Sequence, residues 1–322
     1  MSRGVCRAAA IALTGLDGTA VMVEAAVSQQ LPGMAIIGLP DAALAEAKQR
    51  VRTASNQARL PLSDRFVVVN LAPAALPKQG SGFDLAIALA ALAASRHLPT
   101  SKLHNTAHIG ELGLDGGLRR PAGLLSAVIA ARDLGFARVM VPREAGDEAR
   151  LVPDIEIVEA RSLADAVAWH RGEASASTSE EEASRGGPPP PAPTPTSAPD
   201  MAEVVGQPEA VEAMTVAAAG RHHISLIGPP GSGKTLLANR LVTILPDLSP
   251  DESLVASSIA SLSGSPLRRL VTRPPFESPH HTASSAAIVG GGDARGISPG
   301  SVSRASYGIL FLDEARDGKC TF

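Results

Sequence analysis

The residues best suited to chemistry form the run GPPGSGKT, which matches the phosphate-loop pattern GxxxxGK[ST]. The pattern predicts backbone N–H groups turned inward around phosphates, and the positive end of the following helix adds to the attraction. We expect Lys234 to reach the outer phosphates of ATP and the Thr235 hydroxyl to ligate Mg²⁺. The alternative is a glycine-rich turn with a surface lysine. The predicted nucleotide-binding residues are Gly228, Pro229, Pro230, Gly231, Ser232, Gly233, Lys234 and Thr235.

A second acidic motif follows the apolar run 309–312. If that run is a buried strand, its carboxyl end delivers Asp313 and Glu314 together. Asp313 is then predicted to hold the water shell of Mg²⁺, and Glu314 to polarise the attacking water as the catalytic residue. The alternative is an ordinary strand end with two solvated acids.

These motifs need strands and helices to position them. The sequence predicts a helix over 207–219, an apolar strand over 224–227 leading into the loop, a helix from 235 to about 245, and the strand 309–312. The N-terminal part also alternates strand and helix signals, and the prediction for the chain is an α/β fold. Predicted strands there are 21–27, 66–70 and 138–142; predicted helices begin at 40–41, with Leu44, Val51 and Ala54 or Ala58 on one face, at Asp84 and at Pro121.

A proline-rich segment divides the chain. Seven prolines lie between positions 172 and 200, with almost no bulky apolar side chain to repay the entropy of ordering. We therefore predict domains at 1–171 and 201–322, joined by a disordered linker at 172–200 that a protease cuts first.

Composition excludes several classes of protein. The 322 residues carry 29 Lys and Arg against 32 Asp and Glu, which is not the balance of a strongly basic nucleic-acid coat. Cys6 and Cys320 are too few for a disulfide framework, which fits a reducing cytoplasm. The longest apolar run, 85–94, is far shorter than the ~20 residues of a membrane helix. We expect a cytoplasmic protein with no membrane partner.

With both nucleotide motifs in place, the chain resembles the Mg-chelatase-like AAA+ ATPases of the ComM/YifB type. The resemblance covers most of the chain outside the proline-rich segment. It rests on short blocks in the same order: GLDG (15–18), LPGMAIIGLPD (31–41), VNLAPA (69–74), GSGFDL (80–85), GELGLDG (110–116), AAG (218–220), the phosphate loop, PHHTAS (279–284), VGGG (289–292) and GILFLDE (308–314).

The resemblance implies an N-terminal domain of the ribosomal S5 domain 2-like, or Lon protease-like, fold, followed by an AAA+ module that assembles into a ring. It implies ATP and Mg²⁺ as cofactors, and an ATP-driven DNA helicase or branch-migration motor used in natural transformation. The family continues past Glu314 into sensors, an arginine finger and a lid, whereas nine residues follow Asp313 here. We therefore expect a truncated chain that binds ATP with little turnover. Alternatives are a non-catalytic nucleotide-binding remnant and a chelatase-like protein remodeller.

A Lon-like domain also raises the question of a Ser-Lys peptidase. Aligned on the Lon motifs, Gly82 stands where the nucleophilic serine belongs, and Leu125 stands where the lysine belongs. Neither side chain has the necessary chemistry, so we predict no peptidase activity. Ser81 and Lys78 are the residues from which a rearranged dyad would be built, and Asp84 is interpreted as a helix cap.

Two further constellations are weak. The pairs His222-His223 and His280-His281 lack the i, i+4 spacing of a helical zinc pair, so a structural or DNA-facing loop is favoured over a metal site. Basic residues between the nucleotide motifs would contact single-stranded DNA through phosphate charge, without sequence preference, if they are not simply a solvated face. They are Arg268, Arg269, Arg273, Arg295 and Arg304.

Overall fold

The computed structural model describes residues 4–38, 41–62, 66–74, 76, 78, 81–173, 200–264, 266–293 and 296–313. They divide into two compact units. The first unit comprises Met1–Arg185, Ala260–Arg269 and Gly292–Ile297; the second comprises Gly186–Ile259, Leu270–Gly291 and Ser298–Phe322. Most of the predicted linker lies outside the described residues, so the predicted domain limits stay a prediction.

Nine strands and five α-helices are described before the proline-rich segment. The strands are β1 (Cys6–Thr14), β2 (Asp17–Ser28), β3 (Gly33–Ile37), β4 (Phe66–Ala72), β5 (Thr106–His108), β6 (Glu111–Leu112), β7 (Leu118–Arg119), β8 (Arg138–Pro142) and β9 (Glu156–Ala160). The helices are α1 (Asp41–Gln57), α2 (Asp84–Ala94), α3 (Leu124–Asp133), α4 (Gly146–Ala149) and α5 (Leu163–Arg171).

Five α-helices and four strands are described after that segment. The helices are α6 (Pro208–Gly220), α7 (Lys234–Leu241), α8 (Pro250–Leu262), α9 (Ser285–Val289) and α10 (Ser301–Arg304). The strands are β10 (Phe276–Glu277), β11 (Gly290–Asp293), β12 (Gly296–Pro299) and β13 (Ile309–Leu310).

A seven-stranded sheet in the order β3-β4-β2-β1-β5-β8-β9 organises the first unit. Only β2 runs antiparallel to its neighbours in this sheet, because it forms a hairpin with β1. The other neighbouring pairs, β3–β4, β1–β5, β5–β8 and β8–β9, are parallel. The fold is therefore mixed α/β with a mostly parallel central sheet, as predicted.

Helix α2 packs against this sheet with ten of its eleven residues buried. Its Ala/Leu sequence suits a fully buried helix, since small side chains let the helix approach the strands closely. A second close approach occurs at Gly18 in β2, where an added Cβ would collide with the Cβ of Ala130 in α3.

A histidine pair is buried between β5 and α5. The His108 and His170 Nε2 atoms lie 3.1 Å apart, and His108 Nδ1 lies 3.1 Å from the Ala9 carbonyl oxygen. Burial lowers the pKa of His108 to about 4 and that of His170 to about 3. Beside them, the Lys102 ammonium lies 4.3 Å from the ring centre of Trp169 and donates to its carbonyl oxygen.

The second unit has a much smaller core, formed by Met201, Met214 and Leu237 with half-buried neighbours. Helices α6 and α7 confirm two predicted helices, but the predicted strand at 224–227 is wrong. That segment has no strand assignment, and the side chains of Ile224 and Ile227 are exposed. The sequence marks it as apolar, yet a strand also needs a hydrogen-bonded neighbour, and no described strand lies beside it.

Other expectations hold with adjusted boundaries. The strand predicted at 138–142 and those at 21–27 and 66–70 are confirmed. Helix α3 begins at Leu124 rather than Pro121, because Gly123 adopts a left-handed conformation as its N-cap. The strand predicted at 309–312 is two residues long and half-buried, not buried. No helix of the described residues is long and apolar enough to cross a bilayer.

Candidate nucleotide-binding site

The phosphate loop ends directly on a helix. Gly233 is the N-cap of α7, so Lys234 and Thr235 are the first two residues of the helix. Gly231 and Gly233 have φ values of +79° and +84°, in the left-handed region that favours glycine. These positive φ values explain why the loop needs glycine at positions 231 and 233.

The Lys234 ammonium lies inside the loop that precedes it. Its Nζ donates to the carbonyl oxygens of Gly228 at 2.8 Å and Pro229 at 2.9 Å. The Ser232 hydroxyl lies 3.5 Å from the same nitrogen. The side chain thus points back over the concave side of the loop rather than out into solvent. At this position the ammonium is able to donate hydrogen bonds to the oxygens of a bound phosphate.

Sequence reasoning missed Gln207, which supports the loop from helix α6. Its Nε2 donates to the Ser232 carbonyl oxygen at 3.1 Å, and Gln207 is also the N-cap position of α6. A Cβ on Gly233 would lie 2.9 Å from this amide nitrogen, so the glycine also makes room for the contact. A polar residue just before Pro208 signals a helix start, but nothing in the sequence places its amide on the loop.

The acidic motif follows strand β13. This strand pairs in parallel with β10, with Phe276 opposite Ile309, and the Phe311 amide extends the pairing by donating to the Glu277 carbonyl oxygen at 2.8 Å. Asp313 follows and is exposed. Glu314 lies outside the described residues. The predicted roles of Thr235, Asp313 and Glu314 therefore stay predictions.

The histidine pairs of the second unit form no metal cluster. Among the described residues, no group of three or more His, Cys, Asp or Glu side chains is arranged to hold a metal ion. The His280 and His281 rings lie 4.1 Å apart, and His280 Nδ1 lies 2.7 Å from the Thr282 hydroxyl. His222 and His223 instead line an open groove of about 460 Å³ beside α6, with Glu209, Glu212, Ala213, Val216, Ala217 and Ile224.

The five arginines predicted to contact DNA lie in different environments. Arg304 makes internal contacts, with an ion pair to Glu277 at 3.0 Å and a hydrogen bond to the Pro299 carbonyl oxygen at 2.8 Å. Arg268 and Arg269 are exposed, and Arg273 lies 3.8 Å from Asp247. Arg295 lies outside the described residues. Of these arginines, Arg304 therefore has a structural role, because it joins Glu277 to the Pro299 carbonyl.

The Lon-like region shows no serine–lysine dyad among the described residues. The Ser81 hydroxyl donates to the Glu111 carboxylate. The Lys78 ammonium is buried and donates to the carbonyl oxygens of Pro73 and Leu76. Burial lowers the pKa of Lys78, but no hydrogen bond joins Lys78 to Ser81. The described contacts thus do not bring the Lys78 amine to this hydroxyl as a general base.

Asp84 is not a helix cap, contrary to the sequence interpretation. It is the first residue of α2 and makes no capping hydrogen bond. Its carboxylate instead pairs with Arg50 at 2.6 Å and accepts from the Leu112 amide at 3.2 Å. Burial raises the pKa of Asp84 to about 6, and Arg50 opposes that shift. The half-buried Arg50 guanidinium is thus the partner of this carboxylate, in place of the helix end.

The glycine loop that ends on the N-terminus of α7 matches the phosphate-loop pattern both in sequence and in its left-handed glycines. The family model for magnesium chelatase, subunit ChlI, matches residues 200–320, and the model for subunit ChlI of Mg-chelatase matches residues 23–145. The chain belongs to the Mg-chelatase-like family that includes ComM and YifB.

Full-length relatives extend beyond this chain. An uncharacterized protein of Mycobacterium tuberculosis is 45% identical over 97% of this chain and 60% of its own length. YifB of Escherichia coli is 38% identical over 94% and 58%, and the competence protein ComM of Haemophilus influenzae is 36% identical over 93% and 58%. The chain thus spans about three fifths of the length of these relatives.

A weaker similarity concerns the Lon protease of Nitrosococcus oceani. It is 25% identical over 173 residues, which is 50% of this chain and 22% of the protease. This relationship agrees with the Lon-like fold that the sequence predicts.

Proposed function

We propose that the chain binds Mg-ATP at residues 228–235 and is the nucleotide-binding part of an ATP-driven motor that acts on DNA. The observation that carries the proposal is the position of Lys234, whose ammonium lies over the loop carbonyls at the start of α7. An ammonium held there, beside a loop with two left-handed glycines, suits a polyphosphate, whose oxygens would take the place of the two carbonyl acceptors.

The residues present fit both ATP and Mg²⁺. The loop amides and the N-terminus of α7 supply partial positive charge for the phosphates, and Lys234 adds a full charge. The Thr235 hydroxyl is exposed beside it, where it is available to Mg²⁺, and Asp313 is an exposed carboxylate able to hold the water shell of the ion. When bound, Mg²⁺ neutralises phosphate charge. Lys234 would exchange its two carbonyl acceptors for phosphate oxygens, which are stronger partners.

DNA is the polymer we propose, and phosphate charge is the means of recognition. Arg268 and Arg269 are exposed, whereas the whole chain holds only eight Phe, Trp and Tyr residues for base stacking. Binding is then sensitive to salt and indifferent to sequence, with each phosphate contact adding about 0.7 to the slope of log K against log salt for a single strand.

The binding test uses a fluorescent ATP analogue and the full chain in the presence of Mg²⁺. We expect Lys234→Ala to raise Kd by roughly 10- to 100-fold, the value of a charged hydrogen-bonding partner. Lys48→Ala, which removes a lysine charge from helix α1, is the matched control and should change nothing. Thr235→Ala should weaken binding with Mg²⁺ more than binding with EDTA. Equal binding by wild type and Lys234→Ala would refute the site.

The motor proposal needs a separate readout. Phosphate release is measured with and without single-stranded DNA, for the wild type and for Glu314→Gln. Release that DNA stimulates and that Glu314→Gln abolishes would support the motor and the role of Glu314. Nucleotide binding without any release would leave the chain a binding module rather than an ATPase.

A further inference from the structure

The side chain of Gln207 does not cap its own helix. Gln207 is the N-cap residue of α6, a position that favours Ser, Thr, Asp or Asn because their short side chains bond the free N–H groups of the first turn. The Gln207 side chain makes no such bond, and Pro208 follows as the first helical residue. Helix capping therefore does not explain a glutamine at this position, whereas its bond to the phosphate loop does.

That bond is made to the peptide group between residues 232 and 233. The Gln207 Nε2 atom donates to the Ser232 carbonyl oxygen at 3.1 Å. In a trans peptide the carbonyl and the following N–H point in opposite directions. Since the Ser232 carbonyl faces Gln207, the Gly233 N–H faces the other way. Among the described residues this N–H has no hydrogen-bond acceptor, so it is available to a ligand.

The backbone at Gly233 and the packing of α6 keep the amide within reach of the loop. Gly233 has a φ of +84°, and a Cβ on it would lie 2.9 Å from the Gln207 Nε2 atom. Helices α6 and α7 pack together through Met214 and Leu237, which belong to the small core of the second unit. The contact between Gln207 and the loop therefore joins two helices that are already held together.

We propose that Gln207 is a positioning residue for phosphate binding, an inference that rests on the proposed function. By holding the Ser232 carbonyl, its amide turns the Gly233 N–H toward a bound polyphosphate, beside the N–H groups that open α7 and have no acceptor within the helix. Gln207 itself does not touch the ligand. Without its bond the peptide group is free to reorient, and ordering that group then reduces the affinity.

The test measures Kd for ATP and for inorganic tripolyphosphate, each with Mg²⁺, by calorimetry on the full chain. Gln207→Met keeps the length of the side chain and removes the donor, so Kd should rise by the same factor for both ligands, roughly 3- to 10-fold. Gln207→Asn keeps an amide and supplies a favoured N-cap, but it is one CH₂ group shorter and should not reach Ser232. It should weaken binding as Gln207→Met does while α6 stays folded.

The matched control is Thr215→Val, at an exposed position of α6 where the hydroxyl donates to the Val211 carbonyl oxygen at 2.8 Å. It should bind both ligands like the wild type, and urea unfolding checks the folding of each variant. If Gln207→Asn restores the wild-type Kd and Gln207→Met does not, the residue acts as a helix cap and the inference is wrong. A loss confined to ATP, with tripolyphosphate unaffected, would also overturn it.

The variant Lys234→Ala separates this inference from the proposed function. If Lys234→Ala binds both ligands as tightly as the wild type, the site itself is wrong and both proposals fail. If Lys234→Ala weakens binding while Gln207→Met and Gln207→Asn bind like the wild type, the site stands and the role of Gln207 is refuted.

Discussion

The two units differ in how much structure supports their chemistry. The first unit surrounds a seven-stranded sheet with a continuous core, yet its Ser81 and Lys78 are each satisfied by other partners. The second unit carries the phosphate loop beside a much smaller described cluster that includes Met201, Met214 and Leu237, and Val205 and Ile227 are largely exposed. A phosphate loop is a local device of one turn and one helix end, so it forms on a small scaffold. A peptidase dyad needs the amine and the hydroxyl to contact each other, whereas Lys78 and Ser81 each contact other groups.

The largest effect that we predict tests this difference in packing. Leu89 is fully buried in α2, and we expect Leu89→Ala to cost about 3–4 kcal/mol, since a cavity opens in a closed core. We expect Leu237→Ala in α7 to cost about 1–2 kcal/mol, because a small core relaxes more easily. Hydrogen exchange of peptides from each unit measures both losses separately. Equal losses would show that the second core is as tightly packed as the first.

The Arg50–Asp84 pair should give the next largest effect. Arg50→Met leaves the buried Asp84 carboxylate without its cation, at a cost of about 3 kcal/mol at pH 7. Loss of Arg50 raises the pKa of Asp84 further, so the cost should shrink as the pH falls and Asp84 becomes protonated. Urea unfolding at pH 5 and pH 7 measures this. The double variant Arg50→Met with Asp84→Asn should be more stable than Arg50→Met at pH 7, and the opposite ranking would contradict the pairing argument.

Acid should destabilise the first unit through its histidine pair. The pKa values of His108 and His170 lie below those of unfolded histidine, so the unfolded chain binds more protons and stability falls as the pH drops below about 6.5. The raised pKa of Asp84 acts in the opposite direction between about pH 6 and pH 4. We expect a net loss of roughly 2 kcal/mol from pH 7 to pH 5.

The variant His170→Gln isolates that contribution. A glutamine amide can still contact His108 but does not titrate in this range, so the dependence of unfolding free energy on pH should become clearly shallower. The wild type and the variant are compared by urea unfolding at pH 5, 6 and 7. Identical pH dependence would show that other groups cause the acid loss.

The last prediction is that the chain does not cleave a protein substrate. Casein incubated with the chain, with or without ATP, should remain intact, because the Ser81 hydroxyl bonds to Glu111 and the Lys78 ammonium bonds to carbonyls. Ser81→Ala is the control that matters. If casein is cleaved and this substitution abolishes cleavage, the first unit has assembled a dyad by rearrangement.

Sequence analysis predicted features that depend on residues close together in the chain, and it missed contacts between residues far apart in the chain. Strand β8 has the predicted limits, 138–142, because its apolar residues have parallel neighbours on both sides. The apolar run 224–227 looks similar in sequence but is not a strand, since no described strand pairs with it. The glycines of the phosphate loop were readable because φ is a local property. The contacts of Gln207 with the loop and of Arg50 with Asp84 were not, since they join residues 25 and 34 positions apart.

Trp169 is an intrinsic fluorescent probe of the first unit. It is the only tryptophan of the chain, and the only tyrosine, Tyr307, belongs to the second unit. Trp169 is 8% exposed, with the His170 ring edge-on at 4.8 Å between centroids and the Lys102 ammonium over its face. Its emission should therefore report the packing and the protonation of the histidine pair. Unlabelled protein can therefore be followed through this residue, which lies in the first unit.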